Sequence, residues 1–207
     1  MTLQHILLCT LLLAGFTLKT AGQQSKPTIL SPEVQIRVAE MAAPENKRKE
    51  AKVYGYNAEG QFVVLREGQN DFVCLAPKPS NSMLYAYAYP VTLDPFMARG
   101  RALTAEGKKT KEKDEIREQE IKSGKLFMPQ SPSTLYGYWG KAADLQPETG
   151  EIQDALRRYV IYIPYAKAED LGLPDKPALP GMPWLMDSGS YKAHIMINPE
   201  KMTHNHH

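Results

Sequence analysis

Cysteine is almost absent from this chain of 207 residues. Only Cys9 and Cys74 are present, and Cys9 lies inside an apolar stretch near the N-terminus. If that stretch is removed, Cys74 has no partner for an intrachain disulfide. Alternative interpretations are a disulfide between two chains or a reactive thiol. The apolar surroundings of Cys74 favour a buried and unreactive cysteine, because free cysteine is among the most buried residue types.

Long hydrophobic runs and a strong charge of one sign are also missing. No apolar run reaches the roughly 20 residues that a helix needs to cross a bilayer. The chain carries 25 Lys and Arg against 23 Asp and Glu. This near-neutral balance disfavours nucleic acid and anionic membrane surfaces as partners, because both select a basic face.

Signatures of specific chemistry are absent as well. The sequence has no Gly-rich phosphate loop, no HExxH, no CxxC and no GxSxG, so we expect no cofactor. The only His–carboxylate pair of interest is His194 with Asp187, which falls short of the three or four ligands of a zinc site. We therefore expect no metal. Acidic residues fall in helix starts or polar loops, with no spacing that indicates a glycosidase: Asp94, Glu106, Asp144, Glu148 and Glu151.

What the chain does contain, at its start, is a segment typical of exported proteins. Residues 6–16 are uncharged and apolar, within the roughly 7–15 residues of a signal-peptide core. The triplet Thr20-Ala21-Gly22, with small residues at both ends, then favours cleavage before Gln23. We predict a signal peptide over residues 1–22 and a soluble product in the periplasm or outside the cell. An uncleaved anchor or a core helix is the alternative, since no Lys or Arg precedes the apolar stretch.

The remaining chain predicts a flexible leader at 23–31, a single α+β domain at 32–198, and a disordered His-rich tail at 199–207. We expect a mainly antiparallel sheet, with an N-terminal helix and a charged central helix packed on one side or end. Ser31, Pro32 and Glu33 mark the start of the first helix and Pro44 its end. The charged helix is expected within residues 107–124.

Apolar and aromatic periodicity predicts the strands. They are expected at 51–56, 62–66, 72–76, 85–89, 135–139, 158–163 and 194–197. Short turns separate the first three, which predicts an antiparallel meander. Residues 174–183 contain four prolines, which indicates a stiff, extended loop.

A few polar and aromatic residues stand out as candidates for a site. Tyr85, Tyr87 and Tyr89 alternate with alanine, which places all three rings on one face of a strand. They either pack across strands or form the aromatic wall of a ligand groove. Asp187 begins a polar segment after Trp184 that is either a turn or the rim of a pocket.

Four segments carry a family resemblance. They are LREGQNDFVCL at 65–75, GMPWLM at 181–186 followed by AHIMI at 193–197, IKSGKL at 121–126, and YVIYIP at 159–164. Together they resemble a family of exported bacterial proteins without an assigned activity. The resemblance spans most of residues 35–197. It implies export and a single domain, and it brings no catalytic residues.

Three functional hypotheses follow. The first is a non-enzymatic exported domain that binds a small molecule or an envelope component. Its candidate ligand-binding residues are Tyr85, Tyr87, Tyr89, Trp184, Asp187 and His194, and Trp139 adds to the aromatic surface. The second is a hydrolase or transferase in which Cys74 and His194 form a thiolate–imidazole pair. The third is a structural or interaction protein of the envelope, expected to expose an apolar patch or an edge strand.

Overall fold

A computed structural model describes residues 27–198 of the chain. The predicted signal peptide, the first four residues of the predicted leader and the His-rich tail lie outside the described residues. In residues 27–198 the fold is α+β, as predicted, with a large and mainly antiparallel sheet. No helix in the described part of the chain is long and apolar enough to cross a membrane.

Residues 27–198 contain four α-helices and ten strands. The helices are α1 (Pro32–Glu40), α2 (Asp94–Ala105), α3 (Thr110–Lys122) and α4 (Ala168–Leu171). The strands are β1 (Lys52–Tyr56), β2 (Phe62–Arg66), β3 (Phe72–Leu75), β4 (Met83–Pro90), β5 (Ser133–Lys141), β6 (Leu145–Gln146), β7 (Glu151–Ile152), β8 (Leu156–Tyr162), β9 (Trp184–Met186) and β10 (His194–Ile197).

The helix starts follow the residues that mark them. The Ser31 hydroxyl accepts a hydrogen bond from the Val34 N–H at 3.4 Å, which caps α1, and Pro32 occupies its first turn. Pro95 likewise lies in the first turn of α2. The start of α1, predicted from N-cap and proline preferences, is confirmed.

Eight strands form one sheet in the order β2-β1-β3-β4-β5-β8-β10-β9. All neighbours pair antiparallel except β1 and β3, which are parallel. The predicted meander of the first three strands is therefore wrong, because β3 pairs with β1 and β4 instead of with β2. The loop after β2 crosses the start of β1, where the N–H groups of Gln69 and Asn70 both donate to the Glu50 carbonyl.

The two faces of the sheet carry separate helices. On one, here called the α1 face, Val38 and Ala39 of α1 pack with Val53 and Cys74. On the other, here called the α2 face, α2 and α3 pack over Val73, Tyr89, Leu135 and Val160. The helices thus lie on both faces, whereas the sequence pattern placed the N-terminal and central helices on one side or end.

A buried side-chain amide fastens α1 to the sheet. The Gln35 amide nitrogen donates to the carbonyls of Leu30 and Tyr56, both at 2.8 Å. Its oxygen accepts from the Tyr56 N–H at 2.7 Å. A Cβ on the neighbouring Gly55 would lie 2.5 Å from that oxygen and closer still to the Leu65 side chain. Only glycine fits beside this amide.

We predict that Gly55→Ala lowers the free energy of unfolding by about 1–3 kcal/mol, the usual result of overpacking a filled site. Urea denaturation measures the change. Gly137→Ala is the matched control, since Gly137 also lies inside a strand but its added Cβ would meet nothing closer than 3.7 Å. Equal stability losses in the two variants would contradict the packing of α1 described above.

Candidate functional site

A groove opens on the α2 face where α2 and α3 do not cover the sheet. It has a volume of about 240 Å³ and lies over β4, β5 and β8. Its floor is Gly137, its walls are Tyr85, Tyr87, Trp139 and Arg158, and its inner end is Leu135 and Val160. Leu135 and Val160 are buried and belong to the cluster beneath α2, so the groove ends against packed core.

The groove exists because one side chain is missing from a row of the sheet. Tyr87 pairs with Gly137, and Gly137 pairs with Arg158. The strands that carry Tyr87 and Arg158 are two spacings apart, which is about 10 Å. A Cβ built on Gly137 would meet Arg158 and the Trp139 ring at 3.7 Å, which is ordinary van der Waals contact. A small side chain would therefore fit between the groups that border this glycine. The groove lies over the row in which Gly137 separates Tyr87 from Arg158.

One wall of the groove is a stack of three side chains. The rings of Tyr85 and Trp139 are stacked with centroids 6.3 Å apart and planes at 18°. The Arg158 guanidinium lies 5.2 Å from the Trp139 ring centroid. Since β5 runs between β4 and β8, the indole lies between the tyrosine and the arginine. Tyr85 is 45% exposed and Tyr87 37% exposed, which leaves both phenols at the surface of the groove.

Arg158 is an exposed side chain with one hydrogen-bond partner among residues 27–198. Its Nε donates to the Asn198 side-chain oxygen at 2.5 Å. Among residues 27–198, no carboxylate forms an ion pair with it. The Tyr87 hydroxyl across the groove stays protonated, because burial raises its pKa above the ordinary value, with a further contribution from Tyr85. The groove therefore presents a guanidinium and a phenol donor.

Tyr89 shares the alternation of Tyr85 and Tyr87 but does not line the groove. It is fully buried beneath α2, where its hydroxyl donates to Asp94 at 2.8 Å and accepts from Arg101 at 2.6 Å. Burial raises its pKa. Tyr89 thus packs in the core, the first of the two interpretations of the alternating tyrosines, although it was also a candidate ligand-binding residue.

Trp184 also lies away from the groove. It lines a separate hollow of about 250 Å³ between the proline-rich loop and Asn198. Asp187 and His194 come together elsewhere, beside Lys192, whose Nζ is 3.4 Å from Asp187 and 2.8 Å from Asp114. The predicted ligand-binding set is therefore split, and only Tyr85 and Tyr87 line the groove.

His194 has the environment of a structural histidine. Its Nδ1 lies 2.7 Å from the Lys192 carbonyl, and a carbonyl can only accept, so Nδ1 carries a proton. Its ring contacts Tyr162 at 5.2 Å between centroids. Burial lowers its pKa, against a smaller opposite effect of Asp187. In the described part of the chain, no cluster of three or more His, Cys, Asp and Glu side chains is arranged to hold a metal ion.

The structure does not bring Cys74 and His194 together. Cys74 lies on the α1 face in β3, while His194 shares a face with Met196 of the α2-face cluster in β10. Three strands separate β3 from β10, which amounts to about 19 Å. Burial raises the pKa of the Cys74 thiol to about 12, and Glu40 contributes further. A thiolate–imidazole pair is not formed in this arrangement.

Sequence reasoning missed Gly137 and Arg158. A glycine inside a predicted strand is the one signal that pointed to a close approach at this place, whereas nothing in the sequence set Arg158 apart from other surface arginines. Comparisons of the chain with models of protein families, with curated proteins and with solved structures give no match. The groove is therefore interpreted from its own geometry.

We predict that Cys74 is unreactive in the folded protein. A thiol with a pKa of about 12 holds roughly 1,000-fold less thiolate at pH 8 than an ordinary cysteine. In a Cys9→Ser chain, where Cys74 is the sole cysteine, Ellman's reagent at pH 8 should react at a normal rate only in denaturant. Raising the pH toward 12 should speed the reaction of the folded chain. Prompt reaction of the folded chain at pH 8 would refute the prediction.

Proposed function

We propose that this protein is an exported, non-enzymatic binding domain whose groove holds a small molecule or one unit of a larger envelope component. The observation that carries the proposal is the groove of about 240 Å³ over β4, β5 and β8, in whose lining Gly137 separates Tyr87 from Arg158. Export is inferred from the apolar segment at residues 6–16 and the small residues that follow it.

Folding alone gives no reason for this groove. Glycine inside a strand weakens the strand, and such a position often marks close approach of a ligand. Tyr85 and Tyr87 are partly exposed. Full burial of an aromatic or aliphatic side chain stabilises a protein by about 1.5–3 kcal/mol, and these two tyrosines contribute only part of that. A ligand that fills the groove would recover this apolar contact, which supports a binding role.

The size of the groove limits its ligand. Sites for drug-sized molecules usually have volumes of roughly 300–1,000 Å³, and this groove has about 240 Å³. The groove thus suits a molecule of one ring or a short chain. A larger envelope component would insert one residue or one ring.

The chemistry of the lining favours binding over catalysis. The residues that line the groove are aromatic, aliphatic or glycine apart from Arg158. None of them is a carboxylate, histidine, cysteine or serine, the groups that usually act as general base or nucleophile at neutral pH. Tyr87 stays protonated because burial raises its pKa, so it can donate a hydrogen bond but is a poor base.

We predict that Gly137→Val abolishes ligand retention while keeping the fold. Valine favours strands, and its side chain would occupy the space above the floor. Wild-type and variant protein are incubated with small molecules extracted from the native host's envelope and culture medium, separated by gel filtration, denatured and analysed by mass spectrometry. At least one compound should be retained by the wild type and depleted about tenfold or more in the variant.

The matched control is Thr134→Val. It introduces the same residue into the same strand, but Thr134 pairs with Ile161 on the α1 face, away from the groove. This variant should retain the compound as the wild type does. If the wild type retains nothing, or if Gly137→Val retains the same compounds, the groove is not a binding site.

A further inference from the structure

Arg158 gives the groove a preference for one chemical class of ligand. This inference rests on the proposed function. We infer that the groove's ligand is a small carboxylic acid with an apolar body, bound as the carboxylate by the terminal nitrogens of Arg158. Three features support this: the guanidinium is held by two contacts, no carboxylate among residues 27–198 pairs with it, and the inner end of the groove is apolar.

Two contacts fix the guanidinium before any ligand arrives. The bond from Nε to Asn198 fixes one edge, and the Trp139 indole fixes the plane at 5.2 Å. Among residues 27–198, neither terminal nitrogen has a hydrogen-bond partner, so both can face a ligand. A guanidinium that is already oriented loses less side-chain entropy on binding than a free one, so the interaction is stronger.

The positive charge of Arg158 favours an anionic ligand. No acidic side chain lines the groove, and none of the carboxylates in residues 27–198 forms an ion pair with Arg158. A carboxylate and a guanidinium are both planar, and the two oxygens are spaced to accept two parallel hydrogen bonds from two guanidinium N–H groups. A phosphate monoester would bring nearly two charges to a single cation, leaving part of its charge unpaired beside aromatic rings.

The rest of the groove fits an apolar body. Leu135 and Val160 are buried at its inner end, and Tyr87 forms the wall opposite the stacked one. A ring or short chain that extends from the carboxylate would contact these side chains in the space left by Gly137. The groove volume of about 240 Å³ restricts the body to a single ring or a short chain.

The test uses Trp139 as a reporter. The chain has two tryptophans, so a Trp184→Phe variant leaves Trp139, in the groove wall, as the sole one. Fluorescence titration compares 3-phenylpropanoate, 3-phenylpropanamide and 2-phenylethyl phosphate, which share a phenyl body and differ in their head group. We expect the carboxylate to bind at least about tenfold more tightly than the amide and more tightly than the phosphate, since a charge-assisted pair adds to the apolar contact.

Arg158→Gln should weaken carboxylate binding about tenfold or more and leave amide binding unchanged. Arg158→Lys keeps the charge but loses the planar fork, so we expect an intermediate affinity. Arg157→Gln is the matched control. It removes the same charge from the adjacent residue, whose side chain stacks on Tyr138 and donates to the Met41 carbonyl at 2.7 Å, on the α1 face. It should leave carboxylate affinity unchanged, and thermal melting checks that each variant is folded.

The outcomes separate this inference from the proposed function. Equal binding of carboxylate and amide, lost in Gly137→Val, would overturn the carboxylate preference and leave the binding site standing. Tighter binding of the phosphate than of the carboxylate would overturn the inferred carboxylate preference and indicate a phosphorylated ligand. If no compound changes Trp139 fluorescence at millimolar concentration, the inference fails, and the retention experiment decides the proposed function independently.

Discussion

The register of β4 against β5, and of β5 against β8, is the constraint on which both faces of the sheet depend. In β4, alanine and tyrosine alternate, so Ala86 and Ala88 face α1 while the tyrosines face α2. The small alanine side chains let α1 approach the sheet closely. Because the side-chain period of a strand is two, a slip of one residue would turn the tyrosines toward α1 and the alanines toward α2. The same register aligns Tyr87, Gly137 and Arg158, so the packing of α1 and the groove share one cause.

The existence of the strands was predictable from periodicity, but their order was not. Alternation marks a strand locally, whereas pairing depends on contacts far apart in sequence. The parallel pairing of β1 with β3 depends on the loop after β2, which is held by hydrogen bonds to the Glu50 carbonyl. Residue types in that loop indicate a turn, and an antiparallel hairpin uses the same types. The short strands β6, β7 and β9 were missed, since two or three residues carry no measurable period.

The candidate site was predictable only in part, for the same reason. Alternation put the three tyrosines on one face, but whether a helix covers a given tyrosine depends on where α2 ends. Tyr89 lies beneath α2, whereas Tyr85 and Tyr87 lie beyond it. Gly137 and Arg158 become neighbours of Tyr87 through strand order alone. A hypothesis based on Cys74 and His194 had the same weakness, because both flank apolar strands and sequence gives no distance between strands.

Stability and the proposed binding role place opposite demands on the position of Gly137. A side chain there would strengthen the strand, and a Cβ meets no atom closer than 3.7 Å, so packing does not require glycine. Gly55 differs, because the Gln35 amide fills the space where its side chain would lie. Two glycines inside strands of one sheet thus have different physical explanations. The fold depends on the absence of a side chain at Gly55, whereas at Gly137 glycine lines a groove bounded by strand residues, and residues ordered by folding need no further ordering when a ligand binds.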